Sequence, residues 1–91
     1  MAATEQEKFE FASRVGAEAF ELMQQRIEEL GPLAFTERLM TMISVSVVCL
    51  ANVLRPGVER APSRGSAADA LISTTMKHVR QLLEPVVKGE Q

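Results

Sequence analysis

The chain has 91 residues, a length that suits one domain with one core. Its single cysteine excludes an intrachain disulfide, and since secreted domains of this size usually need disulfides, we expect a cytoplasmic protein. The net charge of −2 argues against general attraction to nucleic acid, so no sequence-specific nucleic-acid partner is expected. Charge is uneven: residues 1–37 hold eight acids and three bases, whereas residues 38–91 hold four acids and seven bases. This asymmetry either orients association between copies or reflects chance in a short chain.

The first predicted element is a helix over residues 5–30. Thr4 and Glu7 have the spacing of a capping box, and the pair Gly31-Pro32 is typical of a helix end. Two apolar lines run along this helix, about 120° apart. One consists of Phe9, Ala12, Gly16, Ala19, Met23 and Leu30, and the other of Phe11, Val15 and Leu22. Two lines indicate a helix with more than one neighbour.

A second helix is predicted over residues 33–55, ending before Pro56 because the residue that precedes a proline disfavours helical geometry. Its interior is apolar on nearly every side, which predicts burial on most sides. Residues 43–47 alternate as a strand would, but a helix is preferred because the chain offers no second strand to pair with them. The uncharged stretch Leu39–Leu54 would span roughly 24 Å, so it predicts a buried helix rather than a membrane span of roughly 30 Å.

The remaining residues predict a basic loop over 56–65, a third helix over 67–84 and a frayed tail over 88–91. Two prolines, two glycines and three arginines give residues 55–65 the composition of a loop. Ser66 and Asp69 are spaced as a helix cap, and Pro85 is expected to end or kink the helix. The whole chain is therefore expected to be one helical domain.

Residues for catalysis or metal binding are few. His78 is the only histidine and has no Cys or His at ligand spacing, so neither a zinc site nor another cofactor is expected. Cys49 lies in the apolar second helix, where a thiol usually acts as an inert small hydrophobe. The sequence thus predicts a protein that is not an enzyme.

Two groups of residues are candidates for binding. An oligomer seam is predicted from small and apolar residues on the first two helices, with a weakly polar, solvent-facing stripe as the alternative. It comprises Phe11, Val15, Leu22, Thr41, Ser44, Val48 and Asn52. An anion or partner site is predicted from basic residues beside the start of helix 3, with a solvated loop as the alternative. It comprises Arg55, Arg60, Ser63, Arg64, Ser66, Lys77, His78 and Arg80.

Together these features predict an all-α protein, a three-helix antiparallel bundle that homo-oligomerisation completes. The apolar supply exceeds what three helices can hide, and an exposed remainder would promote aggregation. The leading hypothesis is a non-enzymatic adaptor, regulator or inhibitor that binds another macromolecule, without a membrane partner. The alternative is a small-molecule binder that holds a phosphate-bearing or nucleotide-like ligand at a subunit interface through loop arginines.

Overall fold

A computed structural model describes residues 2–89, and this part of the chain is helical without a strand. It contains α1 (Glu5–Arg26), a short 3₁₀ helix (Ile27–Leu30), α2 (Phe35–Glu59) and α3 (Arg64–Val87). The all-α prediction is confirmed. Residues 43–47 lie inside α2, so the choice of helix over strand for this segment is also confirmed.

The start of α1 is the capping box that the sequence predicts. The Thr4 hydroxyl accepts a hydrogen bond from the Glu7 backbone N–H at 3.1 Å, and Glu7 Oε1 accepts one from the Thr4 N–H at 2.9 Å. The bond from the Thr4 backbone N–H to the ionised carboxylate lowers the pKa of Glu7, and the nearby Thr4 hydroxyl lowers it further. The reciprocal pair satisfies two backbone donors that a helix start leaves free.

The end of the first helical segment differs from the prediction of one helix over 5–30. The α-helix stops at Arg26, and residues 27–30 tighten into the 3₁₀ helix. Such tightening is common in a last turn, where backbone groups have lost their α-helical partners. Gly31 follows with a φ of +79°, a conformation that favours glycine, as expected for the residue after a helix.

The prediction that helix 2 ends before Pro56 is wrong, because α2 continues through Pro56 to Glu59. Proline removes one backbone donor, but the last turn keeps later bonds, including Arg60 N–H to the Pro56 carbonyl at 3.1 Å. The Arg64 guanidinium also donates to the Glu59 carbonyl at 3.3 Å, which satisfies an acceptor at the end of α2. The connection between α2 and α3 therefore spans residues 60–63 rather than the predicted 56–65.

Helix 3 also has different bounds from the predicted 67–84. Its N-cap is Ser63 rather than Ser66, and the bond from Ala67 N–H to the Ser63 carbonyl at 3.0 Å closes the first turn. Both serines suit a cap by residue type, and the earlier start adds backbone hydrogen bonds. Pro85 lies inside α3, which ends at Val87. Lys88 and Gly89 form a turn, and the other two residues of the predicted frayed tail lie outside the described part.

The structure divides into two compact units, Met1–Val47 and Val48–Gln91. In the first, Ile27 is 6% exposed and is the one buried residue among residues 2–89. Five residues before and after Ile27 in the sequence are half-buried: Met23, Leu33, Arg38, Thr41 and Met42. Arg38 joins the two helices of this unit, because its guanidinium donates to Glu28 Oε1 at 2.8 Å and to the Gln24 carbonyl at 3.4 Å. We call the segment 23–42 the α1–α2 corner.

In the second unit, the end of α2 and the start of α3 form a helical hairpin, residues 50–75. Its half-buried side chains come from both helices and the connection: Leu50, Leu54, Val58, Ala61, Ala67, Ala68, Leu71 and Thr75. The two helices come close at Gly57, where an added Cβ would lie 3.3 Å from Leu71 Cδ1. A side chain at position 57 would therefore press on Leu71.

Candidate interaction surfaces

The helix α2 has no buried residue within the described chain, contrary to the prediction that its neighbours cover most of its sides. Packing from the same chain reaches only parts of it, at Arg38, Thr41 and Met42 and again at Leu50, Leu54 and Val58. Most of its aliphatic side chains are exposed, Val48 at 63% and Val53 at 67%. An apolar helix of 25 residues is thus left largely uncovered.

The α2 part of the predicted oligomer seam lies on this uncovered surface. Ser44, Val48 and Asn52 are exposed and Thr41 is half-buried. Both hydroxyls bond within their own helix: Thr41 donates to the Glu37 carbonyl at 2.8 Å, and Ser44 to the Met40 carbonyl at 3.0 Å. Because these donors are already satisfied, covering the surface would not leave them without a partner.

The α1 part of the predicted seam is exposed as well. Phe11, Val15 and Leu22 share one side of the helix, and Phe11 and Leu22 are both more than half exposed. The Arg14 guanidinium lies 5.6 Å from the centre of the Phe11 ring, within range of a cation–π interaction. The structure therefore places all seven predicted seam residues on accessible or partly accessible helix surface.

The predicted anion-site residues are divided between separate contacts. Arg64 donates to the Glu59 carbonyl, so its guanidinium is engaged in joining α2 to α3. The Ser63 hydroxyl donates to the Ser66 hydroxyl at 3.2 Å. Arg55 lines a shallow groove of about 250 Å³ beside apolar residues of α2 and α3. Arg60 is exposed in the connection between the helices.

Lys77, His78 and Arg80 lie far along α3 from the other basic residues. Since α3 is continuous, Lys77 is roughly 20 Å and Arg80 roughly 24 Å along its axis from Arg64. His78 and Arg80 lie roughly 160° apart around the helix, and Arg80 pairs with Glu84 at 2.8 Å. Within one chain, the structure does not bring these three residues together with the loop arginines.

A further apolar line lies on α3 and is exposed. Ile72, Met76, Val79 and Leu83 follow each other at spacings of four, three and four, and each is between 43% and 50% exposed. The heptad-like spacing is the sequence signal for such a line. Sequence alone does not tell which of two adjacent apolar lines packs inside the chain.

Arg38 is a second residue whose role the sequence did not indicate. It contacts Glu28 ten positions earlier and Gln24 fourteen positions earlier, so no helical spacing relates it to either partner. Its side chain is 33% exposed and that of Glu28 is 68% exposed. The pair therefore positions the corner and, at this exposure, contributes modestly to stability.

The character of Cys49 as an inert small hydrophobe stays a prediction. The cysteine is free, and it is exposed rather than enclosed by neighbouring helices. The reason is the same as for α2 as a whole, since few neighbours cover that helix. Within residues 2–89, no three or more His, Cys, Asp or Glu side chains are grouped to hold a metal ion.

The helix α2 also meets the length and composition expected of a membrane span. Its mean hydropathy reaches 1.6 over an 18-residue window, and none of that window is buried within the chain. With 25 residues it is roughly 37 Å long, longer than the sequence predicted because it continues past Pro56. The core helix of a soluble protein meets the same criteria of length and composition.

Comparison with known proteins yields no match: no protein-family model fits the chain, and no curated protein or solved structure is significantly similar to it. Function is therefore argued from the surfaces of the chain itself. Those surfaces are mainly exposed apolar helix faces, with basic side chains spread along α2 and α3.

Proposed function

We propose that this chain is a non-enzymatic binding protein that acts as an adaptor, regulator or inhibitor by associating with other protein chains through its helices. The observation that supports it is the extent of exposed apolar surface on α1, α2 and α3. A large exposed apolar patch on a folded protein usually marks a site that binds another protein, a membrane or a ligand.

Exposed apolar side chains occur on each of the three helices, as at Phe11 (57% exposed), Val48 (63%) and Leu82 (76%). Association with further helices would remove such side chains from water. We infer that homo-oligomerisation covers them and completes a three-helix antiparallel arrangement.

The occupant we propose is protein rather than a bilayer, in a cytoplasmic setting. The helix α2 carries Thr41, Ser44, Ser46 and Asn52 within its uncharged stretch. A polar side chain such as Asn52 at a helix seam can set the register of an oligomer, whereas burial of its amide in hydrocarbon without a partner would cost free energy. The lone cysteine fits a compartment in which disulfides are not used for stability.

No contact in the structure favours the alternative, a binder of phosphate-bearing small molecules at a subunit interface. The bond from Arg64 to the Glu59 carbonyl holds its guanidinium at the end of α2, and Lys77, His78 and Arg80 lie at a distance from it along α3. A ligand that bound only the folded chain would raise its melting temperature, so phosphate and nucleotides supply a direct test of this alternative.

The proposal is tested by the mass of the purified chain in solution, measured by light scattering at micromolar concentration. We expect a mass at least twice 10.0 kDa, no flotation with neutral or anionic vesicles, and no change of melting temperature with phosphate or nucleotides. A 10.0 kDa species throughout that range would overturn the proposal. Flotation with vesicles would identify a lipid occupant, and stabilisation by nucleotide would support the ligand-binding alternative.

A further inference from the structure

One line of residues on α2 has the same spacing when followed from either end. Because α2 is an uninterrupted helix from Phe35 to Glu59, residues at spacings of four and three share one side of it. The line is Glu37, Thr41, Ser44, Val48, Ala51 and Arg55, with spacings of four, three, four, three and four. Reversing the direction of the chain reproduces the spacing about a centre at position 46.

We propose that a second copy of this chain docks on this line with its α2 antiparallel, related by a two-fold axis near position 46. In that arrangement Ser44 lies beside Val48 of the second copy, and Thr41 beside its Ala51. Each Glu37 lies beside Arg55 of the other copy, so the two ends of the interface have the same pair of charges. The inference deepens the proposed function and depends on it, since it names the face through which copies associate.

The charges at the two ends select this orientation. An antiparallel pair brings Glu37 and Arg55 of different copies together twice, whereas a parallel pair would bring two Glu37 side chains together and two Arg55 side chains together. Within residues 2–89, neither residue is part of an ion pair, although Glu37 Oε1 accepts the Ala34 N–H at 3.2 Å. Both charges are therefore available to a second copy.

The middle of the line suits close packing of two helices. Thr41, Ser44 and Ala51 are small, and the hydroxyls of the first two are already bonded to carbonyls of their own helix. Exposed apolar side chains border the line on both sides, at Met40, Val45 and Val47. Covering this face would remove apolar surface from water without leaving a hydroxyl donor unpaired.

The exposed side chains in the middle of α2 fit a second copy. Val45, Val47 and Val48 are 47%, 58% and 63% exposed, and they lie next to position 46, where a two-fold axis would bring both copies together. A two-fold interface uses the same patch on both chains, which requires a face that is complementary to itself. The reversible spacing and the opposite charges at its two ends meet that requirement.

Charge reversal tests the proposal directly, with the dimer dissociation constant measured by sedimentation equilibrium. Glu37→Arg and Arg55→Glu should each weaken the dimer by roughly tenfold, because each replaces two attractive pairs with two repulsive ones. The double variant carrying both reversals restores opposite charges and should regain most of the affinity. Glu21→Arg on α1 and Lys77→Glu on α3 are matched controls that should leave the constant unchanged. Arg55→Glu retains the bond between Ala34 and Glu37, so its effect is separate from helix capping.

Spin labels give the orientation independently. With Cys49→Ser as background, a label at Thr36→Cys should show a distance of about 30 Å between copies in the antiparallel dimer, against about 10 Å in a parallel one. The proposed antiparallel interface would be overturned by the short distance, or by a double variant whose dimer is no tighter than those of the single variants. Either result would still allow the chains to associate through another surface. A chain that is monomeric at micromolar concentration would overturn both this inference and the proposed function.

Discussion

The α1–α2 corner and the α2–α3 hairpin join helices by different means. In the corner, one side chain, Ile27, is buried, and Arg38 donates hydrogen bonds to Glu28 and to the Gln24 carbonyl. The hairpin has no buried residue but spreads partial burial over eight small and aliphatic side chains, with a close approach at Gly57. The comparison indicates that the corner depends on one residue, whereas the hairpin depends on the size of the residues between its helices.

The largest effect is expected when the corner loses its buried side chain. Ile27→Ala should lower the free energy of unfolding by about 2–5 kcal/mol, because truncation of a buried aliphatic side chain loses apolar burial and leaves a cavity. Leu30→Ala is the matched control, since Leu30 lies in the same 3₁₀ helix and is 62% exposed. It should change the free energy by less than about 1 kcal/mol. Urea unfolding at one fixed protein concentration measures both.

Equal effects of these two truncations would contradict the comparison. They would show that Leu30 is covered in solution as fully as Ile27, and hence that another chain reaches the corner. The measurement therefore also reports whether association extends to this part of α1.

Replacing either of two glycines in the hairpin by alanine should change the stability less than Ile27→Ala does, and only one of the two replacements should increase it. Gly65→Ala in the first turn of α3 should raise stability by about 0.5–1 kcal/mol, because alanine favours helix and an added Cβ meets nothing within 4 Å. Gly57→Ala has the same helical preference, but its Cβ would lie 3.3 Å from Leu71 Cδ1 and would offset that gain. Thermal unfolding of both variants measures the difference. A gain from Gly57→Ala as large as from Gly65→Ala would mean that the two helices are not held at this separation.

Two substitutions test the starts of α1 and α3. Thr4→Ala should cost roughly 0.5–2 kcal/mol, because the Thr4 hydroxyl accepts the Glu7 N–H. Ser66→Ala should cost less, because Ser66 lies within the first turn of α3 and its hydroxyl contacts only that of Ser63. Melting temperatures of the two variants test the order. A larger loss from Ser66→Ala would return the start of α3 to the position that the sequence predicted.

The pH dependence of the Thr4 variant sharpens this test. Hydrogen bonds from Thr4 lower the pKa of Glu7 in the folded chain, so its contribution is present above the pKa of the unfolded chain. That contribution is lost as pH falls through the lowered folded value. Thr4→Ala keeps the backbone N–H that causes the larger part of the lowered pKa and loses only the part due to the hydroxyl. The difference between Thr4→Ala and the parent should therefore narrow in acid by that smaller part, whereas any difference caused by Ser66→Ala should not follow this pattern.

The features that the sequence predicted correctly depend on neighbours within one turn of helix. The capping box of Thr4 and Glu7 and the positive φ of Gly31 follow from residue type and short spacing. The helical state of residues 43–47 also followed, because an isolated strand has no partner. The predicted end of helix 2 before Pro56 and the predicted bounds 67–84 of helix 3 were wrong, because α2 continues to Glu59 and α3 runs from Arg64 to Val87. The positions of these ends depend on balances such as one lost proline donor against later backbone bonds and the contact of Arg64 with Glu59.

For the candidate surfaces too, some features could be predicted from the sequence and others could not. Helical spacing alone places Phe11, Val15 and Leu22 on one side of α1. It likewise places Thr41, Ser44 and Val48 on one side of α2. It did not indicate how little of either helix the chain would cover itself. Nor did it indicate that Arg64 would bond to the end of α2 while Arg80 pairs with Glu84 on the same helix.

The sequence by itself determined that this protein is helical and that Thr4 caps the start of α1. It also determined that the helices carry more apolar residues than three helices can hide from water. These properties depend on periodicity and on bonds between residues three or four positions apart. Only the tertiary structure decided which apolar lines are covered, that Ile27 alone is buried among residues 2–89, and that Arg38 reaches back to Glu28. The physical reason is that burial and long-range ion pairs depend on where the chain turns, and small differences in free energy near Gly31 and Ser63 set those turns.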